Sequence, residues 1–182
     1  MARLLAAVPN IGSQIERAVI AYLKWVFDTE AAQYNWYFSS DWQGRVAPLF
    51  DVLAHKSTET IPHTRNESYA VRIEAKWKGA SIIGQTTEAD PNTDWQKIND
   101  MIGLVMAAMS VSAGSPPDDL PSTIAQDITT QAIAASSGDN ADLAGFTVEY
   151  VEFKGSQRAE VSEGGTLYIK EVRNFEIRAG NY

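Results

Sequence analysis

Residues 166–179 read Thr-Leu-Tyr-Ile-Lys-Glu-Val-Arg-Asn-Phe-Glu-Ile-Arg-Ala, and they constrain the fold more than any other stretch. The run is rich in β-branched and aromatic residues and carries a charge at almost every second position. A strand with one buried face alternates in this way, because successive side chains point to opposite sides. Leu167, Ile169, Phe175 and Ile177 share one parity, and Val172 falls on the other. That slip predicts a bulge or a change in the layer that covers the strand. Residues 68–78 alternate most cleanly. Tyr69, Val71, Ile73, Ala75 and Trp77 fall on one face, and Arg72, Glu74, Lys76 and Lys78 on the other.

Helical spacing appears twice with strong stripes. Ile15, Val19, Tyr22, Leu23 and Val26 predict a helix over 14–27, opened by a capping box of Ser13 and Glu16. Trp95, Ile98, Ile102, Val105, Met106 and Met109 predict another over 94–109. A weaker helix is expected over 122–135, with Ile124, Ile128 and Ile133 as its apolar contacts. Residues 48–53 form a short apolar run suited to a core strand, and 146–154 read as another. A separate short strand at 158–161 and a turn at Gly164-Gly165 precede the final strand. Neither half of the chain holds enough strand alone, so both must contribute to one sheet. The expectation is a single α+β domain over 1–182, with a mostly antiparallel sheet and helices packed on one face. Long loops are expected at 85–92, 110–121 and 136–145.

A chain of 182 residues, 45% hydrophobic, is large enough to bury a sizeable core. The formal net charge of −8 and a pI of about 4.7 argue against a basic surface that wraps DNA. With no cysteine, disulfides, thiolate metal ligands and a cysteine nucleophile are excluded. Neither a signal-peptide core nor an apolar run of membrane-spanning length is visible, so the reading is a soluble, cytoplasmic protein.

Motifs that carry chemistry are missing. No serine sits in a nucleophile elbow, and no phosphate-cradling or dinucleotide glycine pattern is present. His55, Glu59 and His63 could ligate a metal only from a helix, and Pro62 argues against one. Asp118, Asp119, Asp139 and Asp142 read as turn and cap residues. Met101, Met106 and Met109 read as core more readily than as a sticky surface. The aromatic stretch 31–42, with Tyr34, Trp36, Tyr37, Phe38 and Trp42, lacks a period that would hide its rings. It is a contact-surface candidate as much as core. No catalytic, cofactor-binding or metal-binding residue is assigned, and no cofactor is expected.

The order of elements resembles that of the tail terminator proteins of long-tailed bacteriophages and related minor tail proteins. The resemblance lies in the early amphipathic helix, the alternating strand 68–78, a helix opening at Asp94-Trp95, and the final pair of strands at 146–154 and 166–179. It is one of pattern over about residues 13–180, without a fixed signature. It implies a structural protein of the virion, assembled in the host cytoplasm as a homo-oligomeric ring of sixfold symmetry. Such a ring stops the tail tube and joins it to the neck proteins, with DNA only as passing cargo and no membrane. On physical grounds the contact residues are Trp36, Tyr37 and Trp42, and an exposed strand face of Arg72, Glu74, Lys76 and Lys78, extended by Glu171, Arg173 and Arg178. Two other functions stay open from the residues alone. One is a small-molecule or peptide-binding module with the 31–42 aromatics in its pocket. The other is an enzyme using carboxylates with His55 or His63.

Overall fold

In the computed structural model, the structure describes residues 10–30, 37–39, 49–56, 66–78, 103, 109, 123–163 and 166–181. Helix α1 spans Ile11–Glu30, and strands β1 (Tyr37–Ser39), β2 (Leu49–Lys56) and β3 (Asn66–Lys78) follow. Helix α2 (Thr123–Ala134) leads through a 3-10 turn at Gly138–Leu143 into β4 (Phe146–Glu163) and β5 (Thr166–Asn181). The strands form one sheet in the order β1-β2-β3-β5-β4. Only the β1–β2 pair is parallel. The fold is therefore α+β with a mostly antiparallel sheet, as the patterning predicts.

Helix α1 forms because Ile15, Ala18, Val19, Tyr22, Leu23, Val26 and Phe27 recur at three- and four-residue spacing, and all are buried. It starts earlier than the capping box predicts. Asn10 is the capping residue. Its side chain accepts from the Ser13 N–H at 3.3 Å and its carbonyl from the Gln14 N–H at 3.0 Å. Glu16 is thereby released from capping and reaches β2 instead. Gly12 has a packing reason: a Cβ there would stand 3.0 Å from the Tyr69 ring.

Helix α2 buries Ile124, Ala125, Ile128 and Ala132. Ile133, expected among its apolar contacts, is exposed, because the buried stripe runs through Ala132. Both helices lie on the sheet face that carries Val52, Val71, Ile73, Val148, Val151, Phe175 and Ile177, and these side chains form one core cluster. Gln14 is fully buried and ties the two chain ends together. Its amide donates to the Asp142 carbonyl at 2.8 Å and exchanges hydrogen bonds with Asn181. Arg17 forks onto both carboxylate oxygens of Asp142, at 2.8 and 2.6 Å, and holds that carboxyl below its ordinary range.

Three expectations change. The loop expected at 136–145 contains the 3-10 turn Gly138–Leu143, whose Leu143 is buried. The two strands expected at 146–154 and 158–161 are one strand, β4, which absorbs Gly155 through register shifts at Val148/Tyr150 and Phe153/Gly155. Gly155 sits at φ +144°, a conformation that suits glycine, and it bends a continuous strand. The loops at 85–92 and 110–121 lie outside the described residues. So does the helix expected over 94–109, save Gly103 and Met109, and Met109 is buried in the core.

Candidate functional site

The slip in β5 parity has a simple cause. Pairing between β3 and β5 is regular from Asn66↔Gly180 to Lys78↔Tyr168, so β5 contains no bulge against β3. Phe175, Ile177 and Ala179 lie beneath the helices and are buried. Further along the same face come Arg173 and Glu171, paired in register with Ile73 and Ala75. The strand keeps its register there, and the slip arises because two charged residues occupy the helix-side face.

This register divides the expected charged surface between two faces. Arg72, Glu74, Lys76 and Lys78 share a face with Lys170, Asn174 and Arg178, whereas Glu171 and Arg173 belong to the helix side. The expectation of one exposed face is corrected on a second count also. Glu74 and Glu171 are buried, at 1% and 3% exposure. Glu74 is held by Arg72 and by Lys170, the latter at 2.6 Å. Glu171 is held by Arg173 and by Arg158, whose Nε and Nη2 donate at 3.0 and 2.6 Å. Burial of each carboxylate is offset by two cations, which is how charge survives away from water. Asp51, also buried, is the register partner of Glu74 across β2–β3. The Glu74 and Glu171 carboxylates are sheet-internal ties, so their own capacity for outside contact is small, whereas Arg158 holds Glu171 from an exposed position. Lys76 is half-buried, and Arg178 bonds Glu149 at 3.3 Å. Lys78 ends β3 opposite Tyr168, and Tyr37 opens β1 opposite Leu49. Trp36 and Trp42 lie outside the described residues, as do Glu59 and His63. His55 stands in extended β2, which removes the helical metal site weighed for it.

The surface that patterning missed is the outer edge of β4. Sheet edges carry unpaired N–H and C=O groups, and proteins cover them to avoid unwanted pairing. Two such covers exist here. On β2, past the three-residue β1, the Ala54 N–H donates to Glu16 Oε1 at 2.8 Å. Burial raises the Glu16 pKa, and the Ala54 bond and the nearby His55 and Arg17 charges oppose that rise. On β4, the Val148 N–H donates to Thr129 Oγ1 at 2.9 Å, and that hydroxyl donates to the Ala125 carbonyl at 2.8 Å. Each cover is a helix side chain placed on a strand backbone.

Beyond Val151 no further cover of this kind is found among the described residues. None of the residues from Glu152 to Ser162 is buried, and Ser156, Gln157, Arg158, Ala159 and Glu160 are exposed one after another. Consecutive exposure means that neither face of the strand is packed. Phe153 marks the boundary, 41% exposed with its ring tilted on Phe175 at 5.6 Å. Pairing with β5 continues without a further shift from Ser156↔Arg173 to Glu163↔Thr166. The result is a straight, solvent-facing edge of roughly 25 Å at about 3.4 Å per residue.

Among the described residues no group of three or more His, Asp or Glu side chains is placed to hold a metal ion. Among them, too, no helix is long and apolar enough to cross a membrane. Compared with protein-family models and with curated proteins, the sequence matches none.

Proposed function

We propose that this chain is a virion structural protein: a ring-forming tail terminator that caps the tail tube and joins it to the neck. The observation that carries this reading is the open edge of β4. From Glu152 to Ser162 this strand is bare on both faces and, among the described residues, uncovered along its edge, a form suited to completion by another chain. The role makes and breaks no bond. Its free energy comes from burying subunit edges against neighbours in a closed ring, for which six copies are proposed. A net charge of −8 supports the same reading, since a negative lumen lets DNA pass without adhering. Tube and neck proteins are the proposed partners, the virion the proposed location, and DNA only passing cargo.

Electron microscopy of the purified protein mixed with polymerising tail tubes tests the reading. Rings at tube ends, with tubes of arrested length, are expected. Tubes that grow on unchanged and carry no added density at their ends overturn it, whatever mass the protein has in isolation.

A further inference from the structure

In the protein on its own, we infer that the open edge of β4 pairs antiparallel with β4 of a second copy, about a two-fold axis at Ala159. This goes beyond the ring and does not depend on it. Among the described residues, the other side of the sheet ends in the short β1 and the Glu16-sealed stretch of β2 and offers no comparable edge. Continuation of the sheet between copies therefore has to use β4 twice.

Charge selects the register. About Ala159, Arg158 of each copy stands opposite Glu160 of the other, giving two opposite-charge pairs. Ser156 stands opposite Ser162, and Gln157 opposite Val161. Shifting the axis by one residue either way puts Arg158 against Arg158 or Glu160 against Glu160. Like charges directly opposite are destabilising. Paired positions about Ala159 share parity, so whichever alternate set of N–H and C=O groups points outward meets its own counterpart. The residue on the axis is small, so two strands approach there without a clash. Arg158 and Glu160 are both exposed.

The chain contains no cysteine, so a single introduced thiol reports the register directly. With Ala159→Cys, the two thiols meet across the axis, with Cβ atoms about 5 Å apart, and mild oxidation is expected to give a disulfide-linked dimer. Gln157→Cys, which meets Val161 of the other copy, is expected to stay unlinked under the same conditions. Glu160→Lys sets like charges against each other twice. Analytical ultracentrifugation should show dimerisation weakened about tenfold or more, with an unchanged circular dichroism spectrum. The inference is overturned if the parent protein sediments as a monomer at its highest soluble concentration. It is overturned equally if Gln157→Cys links as readily as Ala159→Cys.

Discussion

Phe175 closes the apolar band of β5, fully buried between the helices and the ring of Phe153. Phe175→Ala would remove the largest side chain at that boundary and leave a cavity that neighbouring strands cannot fill. A loss of about 3–5 kcal/mol in urea unfolding is expected. Glu16 works by a different route. Its pKa is raised chiefly by burial, so the folded state holds the Glu16 proton more tightly than the unfolded chain does. The cost of ionising it is full at neutral pH and vanishes below the unfolded carboxyl value. Glu16→Gln keeps an oxygen for the Ala54 N–H and removes the buried charge. The variant is therefore expected to be at least as stable as the parent at neutral pH. Its advantage should shrink to nothing as unfolding is measured down to about pH 4. An advantage that grows on acidification would contradict this assignment.

At the level of elements, alternation alone made β3 legible, because one face is apolar along the whole visible run. It made β5 legible as a strand but misled about its faces. Glu171 and Arg173 share parity with Phe175, and a charged residue on a core face reads as a surface residue until its partners are known. Arg173 lies two residues from Glu171 on β5, but Arg158, the other partner, lies on β4, and no local window contains it. Helix α1 was visible from its stripe, but its cap was misplaced by three residues, since Asn10 and Ser13 are both good caps. Patterning predicts two strands, 146–154 and 158–161, where β4 is one, because glycine breaks strands more often than it bends them and Gly155 lies between them. Its φ of +144° makes it a hinge within β4. Gly155→Val meets open space yet forces an unfavourable backbone, so a stability loss of about 1–3 kcal/mol is expected in thermal unfolding. The core of the molecule should otherwise remain unchanged, as judged by near-ultraviolet circular dichroism.

For the whole molecule, the candidate site was the least legible part. An edge is a property of strand order, and the order β1-β2-β3-β5-β4 depends on long-range pairing that composition and period do not encode. What patterning did supply was the acidic balance of the chain. Two-fold pairing has no direction, whereas a cap with the tube on one side and the neck on the other has one. If both proposals hold, paired edges must separate as the ring closes, and β4 exchanges one neighbour for others. Glu16 decides what happens to the rest. Among the described residues, β1 and that carboxylate close the β2 flank, so on this proposal stacking through backbone bonds ends once two copies have met. A chain that carries so much bare strand is thereby kept from growing into fibres by a side chain on the opposite border.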